Sequence, residues 1–207
     1  MVLKLLIKSI AIGFAIAAPV GPIGVLCIRR TLTEGPWMGL ATGLGAATAD
    51  MVFGFVAAFG LTAVAGFFLK QQFWFGLLGG GYLCYLGLAV FKSPPPSLSG
   101  ALNNSNWSRA YLSAFLLTLA NPVTILSFIA LFAGFGVEVA RDYRGATVLV
   151  CGVLIGSALW WLMLSAGAIL ARARLSHSSL RLVNRLSGCF LFGFGLYVLL
   201  HVLPLRS

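Results

Sequence analysis

Apolar residues in this chain neither alternate nor stripe; they run. Six stretches stand out: Leu5 to Ile28, Trp37 to Phe59, Phe73 to Phe91, Ala110 to Phe135, Ala146 to Leu170 and Leu186 to Leu203, each 18 residues or longer. At about 1.5 Å per residue, a helix of that length crosses most of a ~30 Å hydrocarbon core. The pattern therefore predicts an all-α membrane protein of six transmembrane helices. Most polar breaks are short. The exception is "KSPPPSLSGALNNSNWSR", residues 92–109, whose Pro, Ser and Asn have nothing to bury and read as a linker. It divides a single integral membrane domain, 1–207, into a first three-helix repeat (1–91) and a second (110–207). An odd number of crossings per half inverts one half relative to the other if the two share a fold.

The first stretch is interrupted by "AAPVGPIG", Ala17 to Gly24. Proline removes a backbone donor and frees the carbonyl one turn earlier, and two prolines with glycines beside them can unwind a turn. The fourth stretch carries a matching break, Ala120-Asn121-Pro122-Val123. Non-helical backbone at membrane depth survives only inside protein or along a wet cavity. Corresponding breaks in opposite halves point to two inverted repeats with broken helices 1 and 4 and a binding site at the midplane. Pro19, Gly21, Pro22, Asn121 and Pro122 are the expected substrate-binding residues. Freed carbonyls and an exposed half-helix N-terminus suit the two ends of an amino acid.

Asp50 is the one acidic residue well inside an apolar stretch; Glu34, Glu138 and Asp142 fall in polar breaks. An ionisable group at membrane depth is costly and by default marks an ion path or proton relay. Gly35, Gly39, Gly43 and Ala47 recur every four residues, and Asp50 and Gly54 continue roughly that face. Such a face must meet another helix closely, which turns Asp50 into the bundle. We expect it to couple protons or to bind a substrate ammonium.

Composition agrees: 60% of the 207 residues are hydrophobic and 9% charged, which excludes an ordinary water-soluble domain. The net charge of +10 comes from basic residues scattered singly and in pairs between apolar runs, so it reads as topology signal and anionic-lipid contact and not as nucleic-acid binding. The densest stretch, Arg172 to Arg185, is expected to lie on headgroups. Breaks 1–2, 3–4 and 5–6 hold eight basic residues and the other side six, which leans towards both termini outside. The N-terminal stretch has an Ala-Ile-Ala that mimics a cleavage site, but the run continuing to Ile28 favours a retained first helix. Cys27, Cys84, Cys151 and Cys189 form no metal-ligand spacing, and neither metal, cofactor nor catalytic residue is expected. Glycine-rich faces allow a homodimer.

With "GGGYLCYLGLAVF" in the third stretch and "ANPVTILSF" opening the second half, these residues resemble the lysine-exporter (LysE) family of translocators, which includes homoserine and threonine efflux proteins. The family's usual Pro-Gly-Pro appears here as Pro19-Val20-Gly21-Pro22, and its Asn-Pro-Lys as Asn121-Pro122-Val123. The resemblance implies a multi-pass plasma (inner) membrane protein that exports small amino acids or related solutes by proton antiport, and no enzyme. A thiol-disulfide electron carrier is disfavoured because the fourth stretch lacks cysteine; a non-transporting membrane scaffold is the other alternative.

Overall fold

The computed structural model describes residues 2–19, 21–58, 70–93, 106–121, 124, 128, 143–172 and 176–202. These form seven helices and no strand: α1 (Val2–Ala17), α2 (Pro22–Thr33), α3 (Pro36–Ala58), α4 (Gln72–Lys92), α5 (Trp107–Leu119), α6 (Tyr143–Arg172) and α7 (His177–Val202). Among the described residues α3, α4, α6 and α7 are each long and apolar enough to cross a membrane. The pair α1 and α2, bent by 83°, counts as a fifth crossing if it is one broken span.

The first break falls where the prolines put it. The last α1 turn closes with the Ala18 amide on the Phe14 carbonyl (3.0 Å), Pro19 has no amide to continue, and Pro22 restarts the chain as the first residue of α2. Val20 lies outside the described residues. In the fourth stretch α5 ends at Leu119, the Ala120 amide reaching the Leu116 carbonyl (2.9 Å) and the Asn121 amide the Thr118 carbonyl (3.2 Å). A residue before proline is driven out of the helical region, so Asn121 stops the helix in sequence terms alone. Pro122 and Val123 lie outside the described residues, as does the rest of that stretch apart from Thr124 and Phe128.

Three boundaries differ from expectation. The helix after the Pro- and Ser-rich stretch starts before Ala110, at Trp107, with Asn106 as its N-cap, the Asn106 side-chain oxygen accepting from the Arg109 amide at 3.1 Å. Gly35 is not part of the α3 face. It forms the α2–α3 turn at φ 109°, where its amide and that of Glu34 both reach the Arg30 carbonyl. Finally, α7 starts at His177 and not at Leu186, so the basic stretch up to Arg185 is the first part of a spanning helix. Leu180, Asn184, Ser187 and Leu191 are buried at helical spacing while Arg181 and Arg185 are exposed. The averaged hydropathy is low there although one face is fully packed.

α3 lies at the centre, against α2, α5 and α6; α1 packs on α6, and α4 on α7. Lipid tails are as apolar as the side chains, so such pairs are held by close packing, and small residues mark the seams. On the α4–α7 seam, a Cβ on Gly87 would lie 2.8 Å from the Gly188 carbonyl oxygen, and one on Gly195 2.7 Å from that of Gly80. The numbers run in opposite directions, so these helices are antiparallel. On the α3–α6 seam Gly43 faces the Cβ of Trp161 and Gly54 faces Val153, again antiparallel. On the remaining two seams Gly156 of α6 abuts the Ile10 carbonyl and Phe14 amide of α1, and Gly45 of α3 abuts the Tyr111 carbonyl and Phe115 amide of α5. These are the same contact made twice.

Candidate functional site

The unwound stretch between α1 and α2 opens onto a cavity. Pro19, Gly21 and Pro22 line it from the break, Asp50 from the middle of α3, and Asn121 from the end of α5. Five of the residues that the sequence nominates, from three separated parts of the chain, thus meet at one place; Pro122 is outside the described residues. Thr118, Thr124 and Trp161 complete the polar part of the wall.

Two features give the cavity a polarity. Gly21 is the N-cap of α2 and has no side chain to cap with, and Pro22 has no amide. The first-turn amides of Ile23 and Gly24 therefore have no intrahelical acceptor and carry the positive end of the α2 dipole to the cavity. The carboxyl of Asp50 supplies acceptor oxygens on the other side. Asp50 is 3% exposed, turned into the bundle as the small-residue face of α3 predicts. Its Oδ2 accepts from the Ser157 hydroxyl at 2.6 Å, and Ser157 Oγ accepts from the Trp161 indole N–H at 3.2 Å. Gly43 and Gly54 bring α6 close enough for the first of these contacts. A neighbouring, smaller cavity shares Pro22, Ile23 and Asn121 and is otherwise apolar, lined by Gly79, Leu83, Phe194 and Val198 among others.

A second buried polar group lies at the far end of α2. Arg29 and Arg30 are there, and neither is the solvated loop charge that the topology count assumes. Arg29 donates from Nη1 to Glu34 (2.7 Å) and from Nε to Asn184 Oδ1 (3.1 Å). Arg30, 6% exposed, donates to Thr42 Oγ1 (3.0 Å), the Ala110 carbonyl (3.0 Å) and Ser113 Oγ (2.9 Å). Without these two arginines the two sides hold six basic residues each, and the orientation bias disappears.

Sequence reasoning named Asp50 and the breaks but gave Ser157 and Trp161 no role. Ser157 lies 107 residues from Asp50 and has no motif around it. The usable signal was its place midway between residues opposing Gly43 and Gly54, legible only once α3 and α6 are known to pair antiparallel.

A family model described as "LysE type translocator" matches residues 14–202. The chain is 28% identical over 200 residues to "Putative amino acid efflux protein YcgF" of Bacillus subtilis (strain 168), covering 94% of this chain and 95% of that protein. It is 27% identical over 154 residues to "Uncharacterized membrane protein PA4757" of Pseudomonas aeruginosa (70% of this chain, 69% of the other). Against "Uncharacterized membrane protein YahN" of Escherichia coli (strain K12) the figure is 22% over 173 residues (82% and 77%). No solved structure matches. With nine-tenths of its length matched by one family model, the chain belongs to the LysE type translocators, which are membrane transporters and not enzymes.

Proposed function

We propose that this protein exports amino acids or related small solutes across the plasma (inner) membrane by proton antiport, with its cargo site in the cavity between the α1–α2 break, Asp50 and Asn121. The observation that carries the reading is the convergence of Pro19, Gly21, Pro22, Asp50 and Asn121 on one cavity. A carboxylate on one side and first-turn amides on the other fit the ammonium and carboxylate of an amino acid. Asp50 takes the ammonium on one half of the cycle and a proton on the other. The relative named for amino acid efflux supports the cargo class.

The proposed scaffold is an inverted pair of three-helix repeats, 1–91 and 110–207, joined by 92–109. The support is the packing pattern. Exchanging α1 with α5, α3 with α6 and α4 with α7 turns the α1–α6 pair into α5–α3 and returns the α3–α6 and α4–α7 pairs unchanged. Gly156 on α1 and Gly45 on α5 then become one contact repeated. Exposed Arg181 and Arg185 suit anionic lipid headgroups. A homodimer draws no support from the glycines at these seams, which are used within the chain.

The test is efflux from cells overproducing the protein, with a panel of radiolabelled amino acids, beside Asp50→Asn and Pro19→Ala. Export of at least one amino acid, impaired in both variants, is expected. If no amino acid is exported, the transport reading fails. If Asp50→Asn exports as well as wild type across external pH, proton coupling through Asp50 is wrong.

A further inference from the structure

Asp50 does not face the cavity alone. Its Oδ2 is held by a chain of two donors that begins on the cavity wall and runs through the interior of the α3–α6 seam. Trp161 lines the cavity, and its indole nitrogen can only donate. It donates to Ser157 Oγ, four residues earlier on the same face of α6. A serine hydroxyl has one hydrogen, and with an oxygen lone pair already engaged by the indole, that hydrogen goes to Asp50. The direction of the chain is therefore fixed, from Trp161 to Ser157 to Asp50. The 2.6 Å separation is that of a short O–H···O hydrogen bond. One carboxylate oxygen is thereby committed, and Oδ1 has no hydrogen bond among the described residues.

The surroundings show that this arrangement is built. Gly43 on α3 has no side chain where the Cβ of Trp161 lies, 2.6 Å from the position a Cβ would take, so the indole lies flush against α3 seven residues before Asp50. Val153, one turn of α6 the other way, fills the space beside Gly54. Ser157 is fully buried between these two contacts and cannot be served by water.

We propose that Ser157 and Trp161 are the positioning residues of the cargo site: Trp161 orients the Ser157 hydroxyl, Ser157 holds Oδ2 of Asp50, and Oδ1 is thereby presented to a protonated primary amine, with the Trp161 ring as the adjoining wall. The aromatic ring adds cation–π attraction to the ion pair. The site selects for the amine of the cargo, whatever its side chain. This rests on the reading of the cavity as the cargo site.

The test uses the full-length protein in proteoliposomes loaded with one 14C-labelled amino acid chosen from the efflux panel, with half-saturation and maximal rate measured separately. The variants are Ser157→Ala, Ser157→Thr, Trp161→Phe and Asp50→Asn, with insertion checked by immunoblot of the liposomes. Ser157→Ala and Trp161→Phe each raise the half-saturation concentration about tenfold while the maximal rate per inserted protein stays within about twofold, the size expected for one hydrogen bond to a charged group. Ser157→Thr, which keeps the hydroxyl, stays near wild type. The α-hydroxy acid of the same side chain, offered as an unlabelled competitor, inhibits wild type at least about tenfold more weakly than the amino acid. If Ser157→Ala and Trp161→Phe keep wild-type half-saturation while Asp50→Asn loses transport, the positioning inference is overturned and the cargo-site reading stands. If both lose maximal rate in proportion to lost insertion and half-saturation is unmoved, their role is packing, and the inference is again overturned. If Asp50→Asn also transports as wild type, the cargo-site reading itself falls.

Discussion

Two polar networks are buried in this apolar bundle, towards opposite ends of α2, and they are built on opposite plans. At the start of α2 the Trp161–Ser157–Asp50 chain ends on a carboxylate that faces a cavity, with one oxygen committed and one to spare. At its end Arg29 and Arg30 reach Glu34, Asn184, Thr42, Ser113 and the Ala110 carbonyl, tying α2 to α3, α5 and α7. The first network keeps valence open towards a ligand. The second spends its hydrogen-bonding groups on the protein itself. In a bilayer both carry a desolvation cost, and the difference in what each leaves unfilled separates a site from a clamp.

The largest effect that tests this contrast is Asp50→Asn. The amide keeps an oxygen for Ser157, so the fold should hold, but the negative pole is gone. Efflux is expected to fall about a hundredfold or more, the scale of losing one partner of a buried charge pair, with membrane abundance and melting temperature close to wild type. A parallel loss of abundance would make Asp50 a structural residue like the arginines.

Arg30→Ala is expected to do the reverse. It removes three charge-assisted hydrogen bonds at the meeting of three helices and leaves Thr42, Ser113 and the Ala110 carbonyl with only their bonds inside their own helices, costing about 3 kcal/mol of stability. Purified protein should melt earlier, while the fraction still folded keeps the wild-type half-saturation concentration. Lysine at this position does not restore stability, because its three donors radiate from one nitrogen and do not match acceptors set for the two ends of a planar guanidinium.

The same edit made in both networks sharpens the comparison further. Ser113→Ala removes one of the acceptors of Arg30 and should lower stability by about 1 kcal/mol with unchanged transport kinetics. Ser157→Ala removes one donor to Asp50 and should alter half-saturation with less change in melting. If the two alanine variants behave alike, the division into site and clamp is wrong.

How far these networks were legible in the sequence follows from where their partners are. The breaks announce themselves locally, through Pro19, Pro22 and the Asn121-Pro122 pair, and Asp50 stands out by being an acid in an apolar run. The partners do not: Ser157 is 107 residues from Asp50, Ser113 is 83 from Arg30, and Asn184 is 155 from Arg29. A residue count treats Arg29 and Arg30 as loop charges because nothing within a helical turn reveals acceptors on three other helices. The start of α7 was obscured for a related reason. Arg181 and Arg185 lower the average hydropathy of a stretch whose opposite face, Leu180 and Asn184, is buried. Antiparallel glycine contacts such as Gly87 with Gly188 depend on register between distant helices, which spacing within one helix does not carry.

The smallest expected effect bears on the one imperfection in the clamp. Asn184 is 1% exposed, its Oδ1 accepts from Arg29, and its Nδ2 has no hydrogen-bond partner among the described residues. The clamp it belongs to, through Arg29, holds two guanidiniums and, among the described residues, one carboxylate, that of Glu34, so it carries one surplus positive charge and an unused donor. Asn184→Asp keeps the acceptor for Arg29 Nε, replaces the stranded N–H by a second acceptor and brings the local charge to zero. Burying a carboxylate is costly by itself, but here it enters a site already rich in donors and short of one negative charge. Removing the unsatisfied group is expected to win by about 1 kcal/mol, raising the melting temperature by about 3 °C and leaving half-saturation for cargo unchanged. A fall in melting temperature would mean that the surplus charge is already balanced within the folded chain. The arginine network would then be closed in charge as well as in hydrogen bonds, which would sharpen its contrast with the site at Asp50.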